Sequence, residues 1–298
     1  MINNPHRHTN PLEENSIRPI TDNEFVLFQA IIRKVSGIYL SPAKKALLVA
    51  RLSRRLRDLG FTSFGAYYRS LIKEGGLEEL ARMLDCVCTN ETSFFREPRQ
   101  FKFIEERMIP ELKSAVTRRL RSRQVKVWSA ACSTGEEPYS LAMVLHHHLP
   151  PTTGWEIDIL ATDISSRVLS AAQEGIWPLD QASQIPPAYL KEYMLRGTRS
   201  QEGKMKAGQV IRQQVRFGRI NLNDDTYPLS GTFDAIFCRN VLMYFDAESK
   251  ARVIEKLLAR LSPTGYLFLG HAESLNGFGG RVRSVGPTVY TPVWEQAA

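Results

Sequence analysis

The sequence predicts an α/β protein: a mostly parallel, doubly wound sheet carrying a small β insertion, preceded by an all-α N-terminal domain. Three observations predict it. Residues 20–88 space their apolar positions as helices do and show no strand-like alternation. From residue 125 strand-like runs recur: "VKVWSAA", "WEIDILATDI", "QQVRFGRINL", "TFDAIFCRNV", "GYLFLGHAE" and "TVYTPV". Helical segments, "EEPYSLAMVLHHHL" and "AESKARVIEKLLARLS", separate the first run from the second and the fourth from the fifth. Strands alternating with helices form a parallel sheet covered on both faces.

Residues 1–19, opening "MINNPHRHTNPLEEN", lack the apolar core of a signal peptide and are expected to be a disordered arm. The helical domain, 20–88, begins with "TDNEFVLFQAIIRKVSG", which has an Asp/Asn start, apolar positions at 25, 28, 31, 32 and 35, and a glycine stop. "SPAKKALLVARLSRRLRDLG" repeats that grammar, with Ser41 as N-cap, Pro42 in the first turn and Gly60 as terminator. Two shorter helices follow in "SFGAYYRSLIKEGG" and "LEELARMLDCVC". Residues 89–115 form a linker expected to touch a ligand pocket, and 116–298 the sheet domain. Within it, 186–216 are polar and glycine-punctuated and are expected as an inserted hairpin subdomain.

Apolar residues make up 43% and charged residues 23%, as in soluble globular proteins. No run reaches the roughly 18 apolar residues of a membrane span. Cys86, Cys88, Cys132 and Cys238 fit no zinc spacing, so a reduced cytoplasmic setting without metal is expected. The net charge of +8 invites a nucleic-acid partner, but much of the excess sits in "RRLRSR" and in residues 44–60. A basic helix face suits any acidic partner, or is simply solvated.

"SAACSTGEEP" is the turn after the first strand, where open α/β sheets bind ligands. A dinucleotide loop has several glycines and leaves a helix N-terminus free for phosphate. Here there is one glycine, Gly135, and the glutamates Glu136 and Glu137 stand where phosphate would rest. Phosphate is repelled; S-adenosylmethionine, with no phosphate and a cationic amino acid end, fits. The two glutamates would also complement a helix dipole. The second strand run ends at Asp163, whose carboxylate suits ribose hydroxyls. "GRINLND" brings Asn221, Asn223 and Asp224 to the next strand end, and "FCRN" brings Arg239 and Asn240 to the fourth. Polar residues after four successive apolar strands point to a nucleoside-binding methyltransferase sheet.

"NETSFFRE", "SAACSTGEEPYSLAM", "ATDIS", "NLND" and "FDAIFCRNVLMYF", in this order behind a helical module, resemble the chemotaxis receptor methyltransferases of the CheR family. The resemblance covers nearly the whole chain from residue 20. It implies a class I S-adenosylmethionine-dependent methyltransferase fold and O-methylation of glutamates on methyl-accepting chemotaxis receptors, yielding S-adenosylhomocysteine. It further implies cofactor contacts from Asn90, Thr92, Arg96, one of Glu136 and Glu137 (the latter preferred), Asp163, Asn221, Leu222, Arg239 and Asn240. Arg96 and Tyr244 would be the catalytic pair, orienting the substrate carboxylate. The same Asn90–Thr92 segment would also serve as a helix cap, and Tyr244 as a half-buried aromatic after strand four. Lys44, Lys45, Arg51, Arg54, Arg55 and Arg57 would dock the acidic receptor helices. The insertion would add a receptor's C-terminal peptide as a strand, or be a plain surface loop. A monomer is expected, with neither nucleic-acid partner nor membrane insertion.

A glutamate carboxylate is ionised at neutral pH and attacks a sulfonium methyl without a general base or metal. Base-methylating enzymes typically carry an Asn-Pro-Pro-Tyr-like turn after strand four, and here the sequence is "RNVLMY". "HHH" at 146–148 cannot chelate as a set, since adjacent helical residues diverge by about 100°. His271 and Glu273, in "GHAES", fall at a strand end near the expected pocket, which they could shape; neither is assigned a catalytic role.

Overall fold

The structure, a computed structural model, describes residues 17–275, 277–278 and 280–293. The chain divides into two compact units, Met1–Cys88 and Thr89–Ala298. Residues 1–16 of the expected arm lie outside the described residues. Its end is already structured: Arg18 N donates to Thr62 O at 2.9 Å.

The first unit holds α1 (Asp22–Ser36), α2 (Lys45–Asp58), α3 (Phe64–Leu71) and α4 (Leu77–Val87). The α1 cap is Thr21, not the Asp/Asn pair. Thr21 Oγ1 accepts from Glu24 N at 3.2 Å while Glu24 Oε2 accepts from Thr21 N at 2.8 Å, a reciprocal box that a threonine three residues before a glutamate is built to make. Gly37, at φ +73°, ends the helix. Ser41 opens a single 3₁₀ turn, Pro42–Lys44, so α2 starts later than expected. Phe28, Ile32, Leu48, Leu52, Leu56, Tyr67 and Met83 fill the core between these helices.

In the second unit α5 (Pro98–Phe103) runs through a π turn, Ile104–Met108, into α6 (Ile109–Thr117). Then come β1 (Gln124–Ala130), α7 (Glu136–His148), β2 (Glu156–Asp163), α8 (Ser166–Glu174), β3 (Ile176–Pro178), α9 (Pro187–Tyr193), β4 (Met194–Arg196), β5 (Lys204–Ala207), α10 (Gln209–Arg212) and β6 (Val215–Arg219). The chain continues with β7 (Phe233–Cys238), α11 (Ala247–Leu258), β8 (Leu261–Leu269), β9 (Val282–Gly286) and β10 (Val289–Pro292).

The main sheet has the order β6-β2-β1-β7-β8-β10-β9. Its first five strands are parallel, and β10 pairs antiparallel with both β8 and β9. Alternate residues bury on opposite faces. Val127, Ile159, Ala235, Phe237 and Phe268 enter one apolar cluster, while Trp128, Leu160, Ile236, Cys238 and Leu267 enter another. Strand order reverses at β1, whose neighbours are β2 and β7, so the carboxyl ends of these three strands open one crevice.

The inserted sheet is β3-β5-β4, antiparallel. It takes its first strand from Ile176, ahead of the expected 186–216, and the chain is back in the main sheet at Val215. Strand β9 was not foreseen: "VRSVG" is a polar edge strand without apolar alternation.

Candidate functional site

The loop after β1 turns through three left-handed residues, Ala131 (φ +68°), Ser133 (φ +50°) and Gly135 (φ +98°). A Cβ on Gly135 would lie 3.0 Å from Ala172 Cβ on α8, so glycine is needed for both conformation and room. Asp163 holds this loop from the end of β2. Its Oδ2 accepts from Ser133 N at 2.9 Å and its Oδ1 from Ser165 N at 3.0 Å. Ser133 Oγ donates to Asn90 O at 2.9 Å, fastening the segment that precedes the sheet to the same loop.

Tertiary packing separates the two glutamates. Glu136 is buried, and its Oε2 accepts from Thr134 Oγ1 at 2.7 Å within its own turn. Glu137 turns to the strand ends: Oε1 accepts from Ser129 Oγ at 2.6 Å, and Oε2 stands 3.3 Å from Arg239 Nη1. Arg239 Nε stands 3.8 Å from Glu97 Oε2, and Arg239 Nη2 donates to Arg96 O. The side chains of Arg239, Glu137 and Glu97 are 3%, 12% and 14% exposed, so one guanidinium lies between two shielded carboxylates. Burial pushes both glutamates of the loop above the usual carboxyl range. For Glu137, Arg239 and then Ser129 pull it partly back.

The remaining wall is the turn after β7. Asn240 is left-handed at φ +59°, and Tyr244 ends a 3₁₀ turn, Leu242–Tyr244, rather than lying on the helix after β7, which begins only at Ala247. Buried Glu273 accepts from the backbone N–H groups of this turn, and Glu97 Oε1 accepts from His271 N at 3.0 Å.

The structure thus joins Asn90, Arg96, Glu137, Asp163, Arg239 and Asn240 through direct bonds or adjacent backbone. Thr92 makes no hydrogen bond among the described residues and is half-buried between Asn90 and Phe94. Asn221 serves a local turn, its Nδ2 donating to Asp224 Oδ1 at 2.9 Å and its Oδ1 accepting from Asn223 N at 3.0 Å; Leu222 is buried beside it. Sequence reasoning passed over Glu97 and Ser133. The available signal was position: both sit inside motifs already singled out, as charged or polar residues beside small or apolar ones.

The basic residues of the first unit differ in their surroundings. Arg55 is committed to Glu79, donating from Nε at 2.9 Å and from Nη2 as well. Lys45 pairs with Asp22 at 2.7 Å, and Arg51 donates to Val87 O. Arg54 is 87% exposed with only a 3.9 Å approach to Asp58, and Arg57 is exposed. The reason is geometric: Arg51 and Arg55 are one helical turn apart, on the side of α2 that meets α4. The three histidines likewise diverge. His146 Nδ1 lies 2.6 Å from Gln214 Nε2, His147 Nδ1 3.4 Å from Glu192, and His148 Nε2 3.5 Å from Glu105.

The crevice fits S-adenosylmethionine. Glu97 and Glu137 place two carboxylates against the buried Arg239 guanidinium, a setting in which an ammonium can be held. Arg239 Nε is buried with no hydrogen-bond acceptor among the described residues. Asp163 stands at the strand end beside the small-residue loop. Fold and site together define a class I S-adenosylmethionine-binding methyltransferase. Residues 90–291 match the CheR methyltransferase SAM binding domain, and residues 23–88 match the CheR methyltransferase all-alpha domain. The chain is 39% identical over 276 residues to chemotaxis protein methyltransferase 2 of Pseudomonas aeruginosa, covering 91% of this chain and 94% of that protein. It is 36% identical over 272 residues to the chemotaxis protein methyltransferase of Escherichia coli, covering 91% of each. This chain belongs to the CheR methyltransferase family.

Proposed function

We propose that this protein transfers the methyl group of S-adenosylmethionine to glutamate carboxylates of chemoreceptors, making methyl esters in the cytoplasm. The observation that carries the reading is the Glu97–Arg239–Glu137 cluster, two shielded carboxylates around one guanidinium on the crevice wall. Relatives named chemotaxis protein methyltransferases support the substrate class.

When bound, S-adenosylmethionine supplies an electrophilic sulfonium methyl. Glu137 holds the ammonium of its amino acid end, with Glu136 turned into its own loop, and Arg239 meets the carboxylate. Asp163 accepts from the ribose hydroxyls, and Asn221, Leu222 and Asn240 border the base. Asn90, Thr92 and Arg96 lie in residues 89–115, the segment that covers the crevice and excludes water. Arg96 and Tyr244 orient the incoming carboxylate, which is already ionised and needs no general base. An anion and a cation become neutral products, so alignment matters more than charge stabilisation. The exposed Arg54 and Arg57 dock the acidic receptor helix, and edge strand β4 of the inserted sheet receives a receptor's C-terminal peptide. The enzyme works as a monomer.

The test incubates the protein with methyl-labelled S-adenosylmethionine and chemoreceptor-rich membranes. Label on receptor released by base as methanol is the expected result; base-stable label, or none, rejects the reading. Because burial raises the Glu137 carboxyl and only its ionised form holds a cation, cofactor affinity should weaken as pH falls into the acid range. That loss should set in above the pH at which an exposed glutamate, near 4.5, would cause it. Calorimetric titration across pH checks the sign; affinity that holds down to pH 4.5 would remove Glu137 from this role. Charge reversal in Arg54→Glu with Arg57→Glu should raise the receptor KM about tenfold at low salt, narrowing as ionic strength screens the contact. A KM unaffected by either change would exclude this docking face.

A further inference from the structure

Three loops meet at the turn following β8. Glu273 is 4% exposed and carries both oxygens into backbone bonds. Oε2 accepts from Gly270 N at 2.7 Å and from Asn240 N at 3.0 Å, and Oε1 accepts from Met243 N at 3.2 Å. One carboxylate thus satisfies three amides from two separate loops, a nest that the protein fills with its own anion. The neighbouring His271 N is held in turn by Glu97 Oε1 at 3.0 Å, the glutamate that faces Arg239.

The conformation so held is not one that Asn240 adopts by default. Its φ of +59° lies in the left-handed region, and a residue stays there where surrounding contacts over-determine it. The fit extends to Gly270. A Cβ built there would lie 2.6 Å from Asn240 Nδ2, 2.8 Å from Asn240 N and 2.9 Å from Glu273 Oε2. The glycine therefore allows the β8 turn and the β7 turn to approach closely enough to share one carboxylate.

We infer that Glu273 is a positioning residue: its carboxylate, working against Gly270, sets the Arg239–Asn240 turn for the cofactor and the Met243–Tyr244 turn for the substrate. This rests on the reading that Arg239 and Asn240 face S-adenosylmethionine. The two oxygens divide the labour. Oε2 governs the cofactor side through Asn240, and Oε1 governs the substrate side through Met243, which is 53% exposed and adjoins Tyr244.

The division makes the role separable from simple structural support. Glu273→Ala removes all three acceptors, and Gly270→Ala wedges the turns apart without changing charge. Each should weaken S-adenosylhomocysteine binding, measured by calorimetry, by about tenfold. Glu273→Gln keeps a carbonyl oxygen for Asn240 and Gly270 but turns an amide toward Met243 N. It should hold S-adenosylhomocysteine within about threefold of the parent while kcat/KM for receptor methylation falls about tenfold. Val253→Ala, in the buried face of α11, supplies a destabilised control whose cofactor affinity should not move. The inference is overturned if folded Glu273→Ala and Gly270→Ala proteins bind S-adenosylhomocysteine as the parent does, or if Val253→Ala weakens binding equally. It is also overturned if Glu273→Gln lowers both readouts together. Arg239→Lys separates the two levels. If it weakens binding while Glu273→Ala does not, this inference alone fails; if neither does, the cofactor-site reading fails with it. Should Glu273→Ala not fold, Gly270→Ala and Glu273→Gln carry the test.

Discussion

Replacing Arg239 by methionine is expected to destabilise the second unit by about 3–5 kcal/mol, the range for breaking a buried ion pair from one side. The arginine side chain is 3% exposed, and methionine would fill much of its volume, so the loss comes from charge rather than from a cavity. Glu97 and Glu137 would face each other with no cation between them. Like charges so placed raise each other's affinity for a proton, lifting at least one carboxyl in the folded state well above its unfolded value. The penalty is therefore full above that raised value and shrinks as pH falls toward the unfolded carboxyl range. Chemical denaturation of parent and variant should show a gap that is wide at pH 8 and narrow at pH 5. A gap independent of pH would mean that the arginine contributes by packing alone. S-adenosylhomocysteine should also bind the variant far more weakly, since the guanidinium between Glu97 and Glu137 is lost.

The second large effect is expected at Asp163. Its two oxygens hold Ser133 N and Ser165 N, so Asp163→Ala releases the loop after β1 and leaves two shielded amides without acceptors. If the same carboxylate accepts from the ribose hydroxyls, S-adenosylhomocysteine affinity should fall about 100-fold, equal to about 2.7 kcal/mol. The melting temperature should fall as well. Asp163→Asn tests the split, because it keeps one acceptor and turns a donor toward the other amide; it should bind with intermediate affinity. A variant that melts lower but binds as the parent would confine Asp163 to loop support.

Sequence and structure agree best where burial is two-sided. β1, β2, β7 and β8 are parallel strands in the interior of the sheet, so each carries a short apolar core, such as residues 159–161 in β2, 235–238 in β7 and 266–269 in β8, that stands out from its polar ends. β9 escaped notice for the opposite reason. It is an edge strand whose residues are exposed or half-buried, and its pairing with β10 depends on backbone bonds that leave no trace in side-chain pattern. The inserted strands β3 and β4 are three residues each, too short for any period to show. The expected Asp/Asn start of α1 lies one residue inside the helix, because Thr21, with Glu24 three residues on, completes the capping box.

The site follows the same division. The sequence alone determined the chemical character of each strand end: small residues and carboxylates after β1, an aspartate ending β2, an arginine and asparagine after β7. Those facts depend only on residue order, since strands that share a direction present their carboxyl ends together. Only the tertiary structure decided what each group faces. Glu136 and Glu137 are identical side chains on one helix turn, separated by about 100° around its axis. The packing of α7 on the sheet sends the first into its own loop and the second to Arg239. The same holds for Arg55, paired with Glu79 across 24 positions of sequence, and for Glu273, which reaches back 33 positions to Asn240. Such partners are distant in sequence and meet only when the chain closes, so no local pattern could announce them.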